Sequence, residues 1–231
     1  MLAVAYRNII RASAGSTGSA SGGDRKDFAR PDRRMQRRMQ RSATNSLLGD
    51  LLERDAGYPA SNWQLIENAY GKPILVTSGG PNAIDVSLSH SGSLAAAAIT
   101  DLGAIGVDIE YRVPARSISE IAAYAFGPQE QQAAQSGGLA DFYRIWTLRE
   151  ALAKACGIGF PMLADRRDYF AEAPTAGTWQ REIDGRRWLF ATEELPGDYA
   201  IGVAIAPRGS IPADCPADLA IRKFDERRKG H

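Results

Sequence analysis

The sequence predicts a mixed α+β protein, and three observations predict it. Apolar residues recur at helical spacing over 32–54 and again over 139–156. Short extended stretches rich in β-branched and small residues run at 93–100, 104–110, 178–183, 186–193 and 198–206. Two of them, "SLAAAAIT" (93–100) and "DYAIGVAIA" (198–206), echo one another, each following hairpin-like segments. A duplicated α/β unit would leave such an echo, and so would chance in two small-residue strands.

With 231 residues the chain can bury one large core or two small ones folded against each other. Its composition, 44% hydrophobic and 24% charged, is that of a soluble globular protein. No run approaches the ~18–20 apolar residues a membrane span needs, so no membrane partner is expected. The start, "MLAVAYRNIIRAS", is too short in apolar residues before Arg7 for a secretory signal, while its acid-poor, Arg-bearing character leaves an organelle-targeting peptide open. Cys156 and Cys215 have no CxxC spacing, which favours free thiols in a reducing compartment; the cytoplasm is the expected location, and a monomer the expected state.

In chain order, residues 1–23 read as a loosely held arm, because "ASAGSTGSASGG" (12–23) cannot build a core. A basic run follows at 24–41, with eight Lys or Arg against three Asp. It suits a solvated helix face, a nucleic-acid patch or one wall of a phosphate pocket. No zinc-finger, RRM-like or bZIP-like pattern accompanies it, so no nucleic acid is expected as partner. Over 32–54, Met35, Met39, Ala43, Leu47, Leu48, Leu51 and Leu52 form the core face of a helix with an Arg-rich outer surface.

Extended segments at 63–70, 74–77 and 84–88 are punctuated by "GKP" and "GGPN". The stretches 93–100 and 104–110 are expected as adjacent strands joined by a tight turn around Leu102 and Gly103. Helices are expected at 117–126, at 129–136 after Pro128, and at 139–156, ended by Gly157. The expected organisation is an arm (1–23), a first α/β half (24–103), a second half carrying a metal site (104–206), and a Pro-rich, basic tail (207–231).

Four places hold polar residues that a soluble core does not need. In "AIGVDIE" (104–110), Asp108 and Glu110 share one face of a strand, roughly 6–7 Å apart, and repel unless a positive group lies near. In "WTLREALAK" (146–154), Glu150 and Lys154 share a helix face; alone, such a pair is ordinarily a surface ion pair. In "VSLSHS" (86–91), Ser89, His90 and Ser91 offer hydroxyl, imidazole and amide donors suited to a phosphate, although a lone histidine after a strand is more often structural. In "GKP" (71–73), Lys72 is expected to face solvent as a point charge. If three carboxylates converge they need a cation, and hard oxygen donors without His or Cys favour Mg²⁺ over zinc. The chemistry this suits is substitution at phosphorus.

In this order and spacing the motifs resemble the Sfp-type 4'-phosphopantetheinyl transferase family: GKP at 71–73, SHS at 89–91, GVD-x-E at 106–110 and, at 146–154, a W-x-x-R-E-A-x-x-K helix where the family has W-x-x-K-E-A-x-x-K. The resemblance implies a pseudo-dimer of two similar α/β halves with the cofactor in the cleft between them. It implies transfer of the 4'-phosphopantetheine arm of coenzyme A to a serine of an acyl or peptidyl carrier protein, with release of 3',5'-ADP. It implies further that Asp108, Glu110 and Glu150 surround Mg²⁺, and that Lys72, Ser89, His90 and Lys154 contact the phosphates of coenzyme A. Glu150 and Lys154 are the implied catalytic residues, Glu150 accepting the proton of the attacking serine.

Three positions depart from the family pattern. Arg149 replaces the usual Lys before Glu150, a swap expected at a helix surface. Val86 and Ser87 stand where Phe-Asn is frequent. Arg41 keeps the first arginine of an R-x-x-x-R segment that touches the nucleotide, but Asn45 stands at the second. A non-catalytic carrier-protein or coenzyme A binding relative is the alternative reading, and a Mg²⁺-dependent phosphohydrolase a third.

Overall fold

The computed structural model describes residues 1–9, 33–77, 80–81, 83–113, 117–159, 165–209 and 219–224. The chain opens with strand β1 (Leu2–Asn8) and helix α1 (Arg33–Ala56). Strands β2 (Trp63–Glu67), β3 (Pro73–Thr77) and β4 (Gly80–Pro81) make a small sheet, followed by β5 (Asp85–Ser91), β6 (Leu94–Thr100) and β7 (Gly103–Tyr111). Helices α2 (Ile118–Ala125) and α3 (Pro128–Cys156) lead to β8 (Gly177–Ile183), β9 (Arg186–Leu195), β10 (Tyr199–Pro207) and β11 (Ile221–Lys223). The α+β class read from the sequence is the observed one.

Two four-stranded sheets dominate, ordered β11-β1-β6-β5 and β7-β10-β9-β8. Each sheet has one helix on its outer face, and the inner faces meet. On the first sheet, Leu47, Leu48, Leu51 and Leu52 of α1 cover Ala3, Ala5, Ala97 and Ile99. On the second, Phe142, Ile145, Leu148 and Leu152 of α3 cover Phe190, Ala200 and Ala204. Between the sheets, Val4, Ala96 and Ala98 pack against Ile105, Val107, Ile109, Ile201 and Val203. The period-2 alternation of each strand thus serves two cores at once.

Several expectations are corrected here. Residues 2–8 are not a loose arm: β1 pairs with β6 on one side and β11 on the other, and Ala3, Val4 and Ala5 are buried. A strand hydrogen-bonded along both edges has its amides satisfied internally, and this short apolar run has side chains small enough to fit. The Gly/Ser-rich 12–23 stretch lies outside the described residues. The tail is likewise partly built in: β11 runs parallel to β1, and Phe224 lies under the guanidinium groups of Arg7 and Arg54.

The segments 93–100 and 104–110 do not pair with each other. β6 pairs with β1 and β5, whereas β7 pairs with β10, so the turn at 101–102 carries the chain from one sheet to the other. Met35 and Met39 are exposed at 52% and 37%, so the buried face of α1 begins at Gln40 and its apolar part at Leu47 rather than at its first turn. The break expected between 136 and 139 is present inside α3, where Gly138 departs from helical geometry (φ 64°, ψ −141°). Cys156 is a free, exposed thiol; Cys215 lies outside the described residues.

Candidate active site

Glycine sets how closely α3 approaches the second sheet. A Cβ at Gly106 would stand 1.8 Å from the Ala151 carbonyl oxygen, and one at Gly202 would stand 2.7 Å from the Thr147 backbone. These glycines lie on neighbouring strands, Gly106 opposite Ala204 and Gly202 opposite Asp108. Without side chains there, the helix backbone rests on the sheet and brings Glu150 and Lys154 over Asp108. The glycine of "GVD" is therefore part of the site's construction.

β7 alternates as its sequence requires. Ile105, Val107 and Ile109 enter the core between the sheets, and Asp108 and Glu110 fall on the opposite face with Gly106. Asp108 is 5% exposed. Its Oδ1 accepts from Ser89 Oγ at 2.8 Å and from Lys154 Nζ at 2.8 Å. Its Oδ2 is buried and has no hydrogen-bond partner among the described residues. Glu110 Oε2 accepts from Ser91 Oγ at 2.8 Å.

Lys154 does not pair with Glu150 as helical spacing suggested. Its ammonium turns across to β7, bonding Asp108 and the Val107 carbonyl at 3.1 Å. Glu150 is left among carboxylates: burial first, and then the Asp108 charge, push its pKa up to about 7, with Glu110 adding and Lys154 opposing. The three acidic residues predicted from the sequence are thus brought into one electrostatic neighbourhood. With an excess of negative charge and a bare buried carboxylate oxygen, Asp108, Glu110 and Glu150 are the side chains that could hold a hard divalent cation. Among the described residues, no group of three or more His, Cys, Asp or Glu side chains is already arranged to hold a metal ion.

His90 stands exposed at the rim, and loss of hydration together with the nearby Lys154 charge lowers its pKa; Arg37 of α1 acts in the same direction. Lys72 is corrected. It faces inward, with side-chain exposure of 13%, and bonds Asp85 at 2.6 Å and the Ala155 carbonyl at 3.2 Å. The carboxylate at the head of β5 draws it down. It still lines, with Tyr70, Leu88, Glu150, Lys154 and Gly157, a cleft of about 240 Å³. Arg41 is not brought to this cluster: it is exposed and paired with Glu67.

Arg149, expected at a helix surface, is 2% exposed. It bonds Glu130 at 2.7 Å, the Arg167 carbonyl at 3.0 Å and the Asp165 carbonyl, with the rings of Phe126 and Tyr169 nearby. Glu130 in turn accepts from the Gly127, Tyr169 and Phe170 amides. Sequence reasoning missed Glu130 and Asp85. Asp85 had a visible signal, the alternation D-x-S-x-S-x-S over 85–91, whereas Glu130 had none.

Residues 104–204 match the family model described as the 4'-phosphopantetheinyl transferase superfamily. The match takes in Asp108, Glu110, Glu150 and Lys154 and leaves out Lys72, Ser89 and His90. The chain is 31% identical over 144 residues to the 4'-phosphopantetheinyl transferase HetI of Nostoc sp., covering 60% of this chain and 58% of the relative. It is 33% identical over 126 residues to the 4'-phosphopantetheinyl transferase gsp of Aneurinibacillus migulanus, covering 51% and 50%. It is 34% identical over 99 residues to the 4'-phosphopantetheinyl transferase AcpT of Salmonella typhimurium, covering 41% and 50%. The matches thus span half to three fifths of the length of these curated relatives.

Proposed function

We propose that the protein transfers the 4'-phosphopantetheine arm of coenzyme A to a serine of an acyl or peptidyl carrier protein, releasing 3',5'-ADP, in a Mg²⁺-dependent reaction. The observation that carries this reading is the meeting of Asp108, Glu110, Glu150 and Lys154 where α3 crosses β7. In the reaction the serine oxygen forms a bond to the phosphorus that bears pantetheine, and the bond from that phosphorus to the ADP oxygen breaks. Asp108, Glu110 and Glu150 would hold the cation, which when bound would neutralise charge on the diphosphate. Glu150 takes the serine proton, directly or through water. In this reading Lys154 and His90 contact phosphate oxygens, and Lys72, which lines the same cleft as Glu150 and Lys154, adds positive charge there.

For the carrier, charge complementarity favours the outer surface of α1, where Arg34, Arg37 and Arg38 are exposed beside Met35 and Met39. An acidic, amphipathic helix of the carrier is the matching surface. Among the described residues no helix is long and apolar enough to cross a membrane. We place the enzyme in the cytoplasm, acting as a monomer. Purified protein incubated with apo carrier, coenzyme A and Mg²⁺ is expected to add the arm's mass to the carrier. Folded protein that leaves several carriers unmodified overturns the reading; tight coenzyme A binding without transfer would mark a binding relative instead.

A further inference from the structure

The polar residues of β5 form a repeating device. Asp85, Ser87, Ser89 and Ser91 are two apart and share one face of the strand. That face meets the free edge of β7, whose other edge is taken by β10. The Ile105 amide donates to Asp85 at 2.8 Å, Val107 to Ser87 at 3.0 Å, Ile109 to Ser89 at 3.3 Å and Tyr111 to Ser91 at 3.0 Å. Side chains of one sheet thus satisfy the edge amides of the other, where an unpaired β7 edge would otherwise stand open.

A serine hydroxyl carries a single proton. With a lone pair of Ser89 Oγ on the Ile109 amide, its proton goes to Asp108 Oδ1; with a lone pair of Ser91 Oγ on the Tyr111 amide, its proton goes to Glu110 Oε2. What each oxygen has left is an acceptor site, which a phosphate oxygen, itself an acceptor, cannot use. Ser89 can donate to a phosphate only by releasing Asp108. Lys154 shares Oδ1, so the buried, unpartnered Oδ2 is the oxygen that Asp108 presents.

We infer that Ser89 and Ser91 are positioning residues that orient the Asp108 and Glu110 carboxylates toward a divalent cation, and that Ser89 is not a ligand of the coenzyme A phosphates. This rests on the transferase reading, since it concerns the cation of that same site. It reassigns one residue that the family resemblance placed on the phosphates.

The test uses the full chain, wild type and the variants Ser89→Ala, Ser91→Ala and Ser87→Ala. Ser87→Ala removes an amide acceptor of the same seam at a position that touches neither carboxylate. Mn²⁺ affinity is measured by electron paramagnetic resonance with coenzyme A present, and affinities for coenzyme A and 3'-dephospho-coenzyme A are measured by calorimetry. Ser89→Ala and Ser91→Ala are expected to weaken Mn²⁺ by about 10- to 100-fold, the usual consequence of removing a partner of a metal ligand, and Ser87→Ala by much less. Ser89→Ala is expected to leave the ratio of the two coenzyme affinities unchanged. Should Ser89→Ala not fold, Ser91→Ala, at a half-buried position, decides by its Mn²⁺ affinity. Unchanged Mn²⁺ affinity in the serine variants, or a loss confined to coenzyme A over its 3'-dephospho form, overturns the inference alone. Wild type that binds neither Mn²⁺ nor coenzyme A overturns the transferase reading and this inference with it.

Discussion

Adjacent residues of α3 hold two charge clusters built on opposite principles. On one side Arg149 meets Glu130, both essentially buried, and every oxygen of Glu130 finds a donor: the guanidinium and three backbone amides. On the other side Glu150 faces Asp108 and Glu110, with the Lys154 ammonium and a carboxylate oxygen, Asp108 Oδ2, that has no partner among the described residues. The first cluster satisfies both oxygens of its carboxylate, with Arg149 Nε buried and unpartnered among the described residues, and anchors the helix to the 165–170 segment. The second is left electrically unbalanced, which costs stability and leaves room for a cation and a phosphate. Two carboxylates of one helix, Glu130 and Glu150, can therefore serve structure and chemistry, according to how completely their partners are supplied.

The comparison is broken most severely at the Glu130 cluster. Glu130→Ala strands a buried guanidinium and should cost about 3–5 kcal/mol of unfolding free energy, read from urea denaturation. A loss below about 1 kcal/mol, the scale of an exposed pair, would mean that the cluster is open in solution. At the unbalanced cluster, Asp108→Ala should lower transfer by at least about 100-fold, the scale of losing one electrostatic stabiliser, and remove its dependence on divalent ion. Mass spectrometry of the carrier over a time course measures it, and retained turnover would displace the cation from Asp108.

Gly106→Ala acts between the two. The added methyl meets the Ala151 carbonyl, so α3 must lift, at a cost of about 1–3 kcal/mol, and Glu150 moves with it. Thermal melts and transfer rates should fall together; loss of neither would mean that the helix does not lie on the glycine.

The smallest expected effect is the sharpest in sign. Glu150 has its pKa raised from 4.5 to about 7, so its favourable contribution to folding is fully present below about pH 4.5 and is lost as pH rises through about 7. Glu150→Gln should therefore be more stable than wild type at pH 8, by about 1 kcal/mol or more, and indistinguishable from it below pH ~5. Denaturant melts across pH without added metal test this. Loss of the carboxylate charge helps at 150 and harms at 130, and equal signs at both positions would erase the distinction drawn between them.

The motif residues 71–73, 89–91, 106–110 and 146–154 were legible because local spacing decides which side chains share a face, and that depends on backbone period alone. The helices over 33–56 and 128–156, the Gly138 break and the strands of the second sheet followed from the same periodicity. What the sequence could not decide was partnership across distance. Whether residues 2–8 hang free or enter a sheet depends on which edges β6 and β11 leave open. Whether Lys154 answers Glu150 on its own helix or Asp108 on a strand depends on how near Gly106 and Gly202 let that helix come. Arg149 and Lys72 were read as solvent-facing charges because their acidic partners, Glu130 and Asp85, lie 19 and 13 residues away in the chain. A charge is judged by what it faces, and only the folded packing of helix on sheet sets that.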